Sequence, residues 1–498
     1  MPPVNHFLAI EVGRHQIGLT MTDGSGAVLL HLDRNFGATG QQADPAEWWR
    51  TIRTGVKDLM RRADVRAGSI RSIGLCGSLH QVVCVDALGQ GRAPTFDVPT
   101  TEITAYNQQI EDRCGRANLR NITGSQADGC SMAAHLLWIR DNARRAWHDL
   151  QHPLYAHDYL RFKLTGTACT DPSSAAATLL YNTRQQIWSK QLLARLEINA
   201  TWMPSVQPGG QIAGRVSPIA AKETGLAAGT PVVLVGSQLA ACAVALGVDR
   251  PGKALIELGG NGSCLITTET AQRDRTGLLH TGCHCLPRRW TLQARDLITN
   301  HGIDWLLREV ASGEQARAKR TRRPVLDLLA ESAAETPPGA EGLLFVPPED
   351  AQSRGGFIGL DYRHGHGHLI RAVLESGPLD LHQIFAHLRQ MQVPTDSVTL
   401  IGPGASNHLW CQILTDAIAV PTQAVPTAQL CAKGTTILAA TATGSTASLK
   451  EARAQLALDM EHFEPRSAAV RTYQQLQPQR SALSERVANI YERAHTAP

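Results

Sequence analysis

Residues 231–268 read PVVLVGSQLAACAVALGVDRPGKALIELGGNGSCLITT, and the order of elements in this stretch indicates the fold class. Residues 232–235 form a wholly apolar run, which is the pattern of a buried strand. The Ala-rich segment 239–246 predicts a tightly packed helix that ends at Gly247. Residues 254–258 predict a second buried strand, and a glycine-rich reversal leads into a returning strand. Strands that alternate with helices in this way are typical of an α/β protein.

The start of the chain repeats the last part of this stretch. Residues 8–13 read LAIEVG and residues 255–259 read LIELG, so the two copies share Ile-Glu-apolar-Gly. Each copy predicts a strand, a polar turn that opens with glycine, and a second apolar strand. Two such hairpins, roughly one domain length apart, predict a duplicated architecture with a cleft between its halves.

The composition is that of an ordinary globular protein. The chain has 498 residues, enough for two or more domains, with 43% hydrophobic and 18% charged residues. Its formal net charge of +4 is too small to indicate a nucleic-acid partner. Eleven cysteines without regular spacing predict buried thiols in a reducing cytosol rather than a disulfide framework. No signal peptide or membrane-spanning run is recognisable, so the expected location is cytoplasmic, with no membrane partner.

Residues 73–94 read IGLCGSLHQVVCVDALGQGRAP and resemble a signature of the FGGY family of carbohydrate kinases, most closely that of the xylulokinases. The likeness continues, in order, through residues 122–142, 155–193, 204–233, 290–307, 354–376 and 400–421. The resemblance implies an α/β fold of two actin/hexokinase-like (ribonuclease H-like) domains, with the active site in the interdomain cleft.

The resemblance also implies a division of the chain and a reaction. Residues 1–250 would form the N-terminal, sugar-binding domain, and residues 251–446 the C-terminal, nucleotide-binding domain. Residues 447–498 would form a helical tail that packs on the C-terminal domain. The reaction implied is ATP-dependent phosphorylation of a ketopentose hydroxyl, with Mg²⁺ as the metal. The predicted partners are therefore a small sugar and ATP, and a homodimer is one expected assembly.

The position of the family's general base is occupied by Gln238. In the family this base is the Asp of a Gly-Gly-Asp-Asn-Ala motif at the start of a helix, and residues 236–240 match that motif. A neutral amide cannot accept a proton near pH 7 and can only orient a partner by hydrogen bonds. The structural alternative is that Gln238 caps its helix.

The resemblance assigns two turns to the phosphates of ATP. In the first turn, Glu11 replaces the family's metal-side Asp and is expected to hold Mg²⁺, while Gly13 and Arg14 face phosphate. In the second turn, Gly259, Gly260 and Asn261 take this role, because glycine lets the backbone approach an anion. The structural alternative is that both are simply tight β-turns.

Two further sets of residues follow from the same resemblance. The turn that closes against adenine in the family corresponds to Gly402, Gly404, Ala405, Ser406 and Asn407. The sugar-binding set corresponds to Leu79, His80 and Asp97. An imidazole can hydrogen-bond a sugar hydroxyl, and an apolar neighbour can pack against the carbon face of the sugar.

Two functions follow from these residues. One is an active sugar kinase, supported by the long resemblance, His80, Glu11 and the adenine-type turn. The other is a relative that binds sugar or nucleotide in a regulatory role with little or no phosphoryl transfer. The second is supported by Gln238, by the lost hydroxyls at Arg14 and Gly260, and by a shortened loop after Pro347.

Overall fold

A computed structural model describes residues 5–36, 42–92, 95–96, 101–127, 129, 131–259, 262–294, 300–348, 354–426, 428–456 and 458–495. The strands are β1 (His6–Val12), β2 (Gln16–Asp23), β3 (Val28–Asn35), β4 (Gln42–Ala43), β5 (Ile70–Gly77), β6 (Val82–Asp86), β7 (Gly91–Arg92), β8 (Thr95–Phe96), β9 (Leu150–Tyr155), β10 (Cys169–Thr170), β11 (Tyr181–Asn182), β12 (Ile187–Trp188), β13 (Ser205–Val206), β14 (Ile212–Arg215), β15 (Pro231–Ser237), β16 (Gly252–Glu257), β17 (Cys264–Thr268), β18 (His280–Cys283), β19 (Trp290–Ala294), β20 (Leu344–Val346), β21 (Gly356–Ile358), β22 (Thr395–Ile401), β23 (Thr422–Ala424) and β24 (Glu461–Phe463). The helices are α1 (Pro45–Arg62), α2 (Thr101–Cys114), α3 (Arg116–Thr123), α4 (Met132–Asn142), α5 (Arg144–His148), α6 (Ala156–Thr165), α7 (Pro172–Ala176), α8 (Lys190–Arg195), α9 (Pro218–Thr224), α10 (Gln238–Leu246), α11 (Asn300–Trp305), α12 (Ser312–Thr321), α13 (Val325–Ala333), α14 (His366–Gln390), α15 (His408–Ile418), α16 (Leu430–Ala442), α17 (Leu449–Ala454) and α18 (Ser467–His495).

The chain divides into two compact units. Unit 1 contains residues 1–250, 267–292 and 428–457, and unit 2 contains residues 251–266, 293–427 and 458–498. Both units are discontinuous in sequence, and segment 428–457 of unit 1 lies within or beside the range expected for the C-terminal domain. The domain boundaries expected from the sequence stay a prediction.

The central sheet of unit 1 has six strands in the order β14-β15-β5-β1-β2-β3. β1 and β15 both run parallel to β5, and β2 returns antiparallel to β1 as the hairpin pattern predicts. Because parallel strands need crossover connections, helices are expected on the faces of this sheet.

The sequence of β5 explains how both faces of the sheet are covered. On one face, Ile73 and Leu75 belong to a buried apolar cluster that also contains residues of α1, α6 and α9. On the other face, Ser72 Oγ donates to the carbonyl of Ala439 in α16 at 3.2 Å, and a Cβ on Gly74 would lie 2.4 Å from Thr435. Small residues on that face therefore let α16 approach the strand closely.

The same closeness holds between α16 and α10. A Cβ on Gly434 would lie 1.9 Å from the carbonyl oxygen of Ala241, so only glycine fits between the two helices. Segment 428–457 joins unit 1 because this small-residue face of α16 packs on α10 and on the sheet.

A second apolar cluster of unit 1 lies among α2, α3, α4, α8, β6 and β9. In unit 2, β16 pairs antiparallel with β17 and parallel with β22, β23 continues parallel, and β24 adds antiparallel. A buried network joins α14 to α18: Arg371 Nε and Tyr473 Oη donate to Glu375 Oε1 at 2.6 and 2.7 Å.

The described cysteines are buried free thiols, as the sequence predicts; Cys130 lies outside the described residues. Within the described part of the chain, no helix combines the length and the apolar character that crossing a membrane requires.

We expect Gly434→Ala to lower the free energy of unfolding by about 2–3 kcal/mol, because the added methyl group forces α10 and α16 apart. Thermal and urea denaturation of the purified variant measure this loss. The control is Gly313→Ala in α12, where an added Cβ meets nothing within 4 Å. Equal stability of the two variants would contradict the close helix contact.

Candidate active site

Three parallel strands of unit 1 end at the same edge of its sheet. Val12 of β1 and Ser237 of β15 both lie opposite Gly77 of β5 in the strand register. The residues that follow these three positions are Gly13, Ser78 and Gln238, so the three turns emerge side by side. The carboxyl ends of parallel strands are the usual place for ligands in α/β sheets.

Hydrogen bonds tie the first two of these turns together. The backbone N–H of Ser78 donates to the carbonyl of Val12 at 3.0 Å. Gln81 Nε2 donates to the carbonyl of Arg14 at 3.1 Å. The turn with the predicted sugar-binding residues is thus fastened to the turn with the predicted phosphate-binding residues.

Gly77 has no room for a side chain because His157 lies beneath it. A Cβ on Gly77 would lie 2.9 Å from His157 Cβ and 3.1 Å from Val12 Cβ. His157 is fully buried, with Ser174 Oγ 3.2 Å from its Nε2, and burial lowers its pKa. The histidine therefore supports the turn from below.

Gln238 and Glu11 meet directly at this edge. Gln238 Nε2 donates to Glu11 Oε1 at 2.7 Å, although 227 positions separate the two residues. Ser237 caps α10 by accepting from the N–H of Ala240 at 3.2 Å, so Gln238 is the first helical residue and its side chain is not the cap. The place of the family's base thus holds an amide paired with a carboxylate.

Behind Gln238, the strand is shaped by a buried carboxylate that sequence reasoning missed. Gly236 has a φ of +113°, and a Cβ there would lie 2.8 Å from Asp171 Oδ2. Asp171 accepts from the backbone N–H groups of Ser173 and Ser174 at 2.7 and 3.2 Å. Burial raises the pKa of Asp171, and side-chain hydrogen bonds with Ser173 and Ser174 oppose that rise. The signal was present in the sequence, because Asp171 precedes a proline as helix caps often do.

The two described sugar-side residues of the prediction lie on the turn after β5. Leu79 is half-buried and packs against the second apolar cluster of unit 1, whereas His80 is exposed. Burial lowers the pKa of His135 to about 4, and the nearby His80 contributes in the same direction. Asp97 lies outside the described residues.

In unit 2, the turn after β16 packs on the turn after β22. The N–H of Leu258 donates to the carbonyl of Ile401 at 2.8 Å, and the N–H of Gly404 donates to the carbonyl of Leu258 at 2.9 Å. Gly402 has a φ of +88°, and a Cβ there would lie 2.8 Å from the carbonyl oxygen of Leu258. Gly259, at a φ of +96°, faces Pro403. These glycines are needed for the turns themselves, whatever else the turns bind.

The side chains of the turn predicted to bind adenine make packing contacts and hydrogen bonds that stabilise the turn itself. Ala405 is buried, and Ser406 Oγ donates to the carbonyl of Pro403 at 3.0 Å. Asn407 caps α15, with its Oδ1 accepting from the N–H of Trp410 at 2.9 Å. A nucleotide role for this turn stays a prediction, as does that of Gly260 and Asn261, which lie outside the described residues.

Glu257 is a further residue that sequence reasoning did not select. It ends β16 as Glu11 nearly ends β1, and a Cβ on Gly402 would lie 3.3 Å from Glu257 Cγ. Burial raises the pKa of Glu257. The Ile-Glu-apolar-Gly echo was the signal that could have identified it.

The described residues fit Mg²⁺ only if phosphates and water supply most of its ligands. Nowhere in the described part of the chain do three or more His, Cys, Asp or Glu side chains come together as a metal cage would require. Mg²⁺ in phosphoryl-transfer enzymes commonly takes one or two carboxylates together with substrate phosphates and water. Glu11, with one oxygen held by Gln238, fits that role.

Comparisons with known proteins agree with this architecture. The FGGY family of carbohydrate kinases matches through its N-terminal domain at residues 27–245 and its C-terminal domain at residues 258–443. A xylulose kinase of Escherichia coli (strain K12) is 27% identical over 424 residues, covering 82% of this chain and 84% of that protein. A xylulose kinase of Bacillus subtilis (strain 168) is 25% identical over 486 residues, covering 95% of each. The crystal structure of xylulose kinase from Rhodospirillum rubrum aligns with a TM-score of 0.86 at 24% identity, covering 98% of this chain and 100% of that one.

Two α/β units with a repeated hairpin form the actin/hexokinase-like fold, which confirms the predicted fold class. The chain belongs to the FGGY family of carbohydrate kinases. It is thus a sugar kinase, a phosphotransferase of a family that uses ATP and a divalent metal.

We expect Glu257→Gln to stabilise the protein increasingly as pH rises. Because burial raises its pKa, Glu257 stays protonated in the folded state to a higher pH than in the unfolded state. The wild type therefore loses stability as pH rises through the folded-state pKa, whereas the amide variant does not. Denaturation midpoints from about pH 4 to pH 8 measure the difference, which should vanish near the ordinary glutamate pKa.

The matched control for this comparison is Glu269→Gln, since Glu269 is exposed. This variant makes the same change of carboxylate to amide at a position where no buried carboxyl is removed. A Glu257→Gln difference that stays constant over the same range would contradict the burial of an ionisable carboxyl at this position.

Proposed function

We propose that this protein transfers the γ-phosphoryl group of ATP to a hydroxyl of a ketopentose such as xylulose. The observation that carries the proposal is the shared strand edge of unit 1, where three parallel strands end in register. Glu11 is the last residue but one of β1, and Arg14, His80 and Gln238 follow the ends of the three strands. The names of the relatives, xylulose kinases, support the substrate class.

Each group has a separate task in this proposal. Leu79 and His80 bind the sugar, with the apolar side chain against its carbons and the imidazole on a hydroxyl. Gly13 and Arg14 face phosphate oxygens, to which a guanidinium can donate two parallel hydrogen bonds. Mg²⁺, when bound, would supply positive charge to offset that of the phosphates. Glu11 would hold the metal through the oxygen that Gln238 leaves available.

Unit 2 supplies the nucleotide side in the proposal. The turns at Gly259 and at 402–407 present closely packed backbone, which suits a flat base and phosphates. Binding of ATP and Mg²⁺ by these turns, a homodimer and a cytoplasmic location are proposed with the function and need their own measurements.

A second function is favoured by one specific observation. Because Gln238 presents an amide where the family has a carboxylate, the protein would bind sugar or nucleotide with little turnover and act in a regulatory role. Loss of a general base typically lowers a rate by about a hundred- to ten-thousand-fold. The loose transition state of phosphoryl transfer depends mainly on positioning and electrostatics, which favours the kinase over this alternative.

We expect the wild type to release ADP in a sugar-dependent manner. The measurement is a coupled ADP-release assay over a panel of ketoses and polyols, each with a control without sugar. Gln238→Asp is assayed beside it, with Gln383→Asp on the exposed face of α14 as the control for the same substitution elsewhere.

The outcomes separate the two functions. Turnover by the wild type supports the kinase and shows that no carboxylate at position 238 is required. Activity only in Gln238→Asp would mean that the site binds its ligands but lacks a proton acceptor. If neither the wild type nor Gln238→Asp releases ADP while both still bind ligand, the result would support the regulatory role and contradict the kinase activity.

A further inference from the structure

Two cysteines of unit 1 lie in contact although 189 positions separate them in the sequence. Cys242 Sγ in α10 and Cys431 Sγ in α16 are 3.4 Å apart. Among the described cysteines these two are also the most exposed, since Cys431 is 9% and Cys242 6% exposed and each of the others is at most 1% exposed. The two thiols that touch each other are therefore also the two that solvent reaches most readily.

The packing of the two helices holds this pair together. A Cβ on Gly434 would lie 1.9 Å from the carbonyl oxygen of Ala241, so the backbones of α10 and α16 are in contact there. Gly434 follows Cys431 by one helical turn, and Ala241 directly precedes Cys242. Helices that approach so closely suit a disulfide, which needs Cα atoms about 4–7 Å apart.

A hydrogen bond connects the pair to the strand edge that carries the candidate site. Cys431 Sγ donates to the backbone carbonyl of Gln238 at 3.6 Å, and the side chain of Gln238 donates to Glu11 at 2.7 Å. Because a thiol has one hydrogen and that of Cys431 goes to Gln238, Cys242 is the donor in the contact between the two sulfurs. A bond between the sulfurs would remove the hydrogen that reaches Gln238.

We propose that Cys242 and Cys431 form a reversible disulfide in the folded protein, with a peroxide as the oxidant. The pair is then a site of oxidative modification at the start of α10. Disulfides that form in a reducing compartment are usually transient and redox-sensing rather than structural. The formation of this disulfide does not depend on the proposed sugar-kinase function.

The oxidation balances in two steps. One sulfur, as a thiolate, attacks an oxygen of the peroxide, the O–O bond breaks, and that cysteine becomes a sulfenic acid. The second sulfur then attacks the first, the S–S bond forms, the S–O bond breaks, and the departing hydroxide takes up a proton. With hydrogen peroxide, the two thiols lose two electrons and two hydrogens, and the peroxide becomes two molecules of water.

The surroundings of Cys431 make this oxidation slow. The hydrogen bond with Cys242 raises the pKa of the Cys431 thiol, a hydrogen bond with Cys76 opposes the rise, and burial raises the pKa further. The thiolate is the form that reacts, so the pair needs an excess of oxidant at neutral pH.

The experiment treats the folded protein with an excess of hydrogen peroxide, blocks the remaining thiols, and maps disulfide-linked peptides by mass spectrometry without reduction. We expect one cross-link in the wild type, between Cys242 and Cys431, and its loss on treatment with dithiothreitol. Cys242→Ala and Cys431→Ala should each give no cross-link. Cys114→Ala, which removes a buried thiol of α2 outside the pair, should keep it.

Two results would overturn the inference. One is a folded wild type in which Cys242 and Cys431 stay free thiols under the oxidant. The other is a set of cross-links that join these cysteines to several others, or that appear only in urea, because such cross-links arise from unfolded chains. Circular dichroism before and after oxidation shows that the protein is folded.

One consequence for activity does rest on the proposed sugar-kinase function. Because the disulfide removes the hydrogen that Cys431 donates to Gln238, cross-linked protein should release ADP about fivefold more slowly, the loss of one hydrogen bond, and dithiothreitol should restore the rate. Cys242→Ala should release ADP at the same rate with and without peroxide. Unchanged ADP release by cross-linked protein overturns this consequence. A reduced wild type that releases no ADP with any sugar overturns the proposed function and this consequence with it, while the mapped cross-link stands.

Discussion

The site of unit 1 depends on the parallel pairing of three strands that come from distant parts of the chain. β1 and β15 pair with opposite sides of β5, and both end in register with Gly77. The strand pairing therefore brings Glu11 and Gln238 to one edge across 227 positions of sequence. Small residues are then required wherever this edge is supported closely, as at Gly77 over His157 and at Gly236 over Asp171.

The same strand arrangement occurs again in unit 2. β1 pairs antiparallel with β2 and parallel with β5, and β16 pairs antiparallel with β17 and parallel with β22. A glutamate stands near the end of the first strand in each copy. Glu11 has an amide donor at 2.7 Å, whereas burial raises the pKa of Glu257. Two copies of one architecture thus place the same residue type in different electrostatic surroundings.

Much of this fold could be predicted from local sequence, because its signals are local. α1, for example, begins at Pro45 because Asp44 accepts from the N–H of Ala46 at 2.8 Å and proline suits the first helical position. The apolar runs of β15 and the hairpin at β1 are equally local. Local sequence could not predict that α16 belongs to unit 1. The small residues on one face of α16 indicate close packing, but they do not identify β5 and α10 as the elements it packs on.

The candidate site was predictable only in its parts. Glu11 and Gln238 were both selected, yet as separate departures from a family pattern, because one residue's amide and the other's carboxylate meet only in the folded chain. Asp171 and His157 were missed because they act from beneath the turns rather than on them. A short polar residue before a proline predicts a helix cap but not which strand that cap will press against.

The pairing of Gln238 with Glu11 gives one physical reason for both departures from the family's motifs, the glutamine at position 238 and the glutamate at position 11. A carboxylate at position 238 within hydrogen-bond distance of Glu11 would place two like charges together and raise the pKa of one of them. An amide at position 238 removes that repulsion and supplies Glu11 with a donor, so the site holds one carboxylate with a partner instead of two in competition. The amide cannot accept a proton as a carboxylate can. A proton acceptor matters less for phosphoryl transfer than for reactions that need a strong nucleophile, because most of the change in bonding occurs at the phosphorus centre. The pair therefore places one carboxylate and one neutral donor at this edge of the sheet.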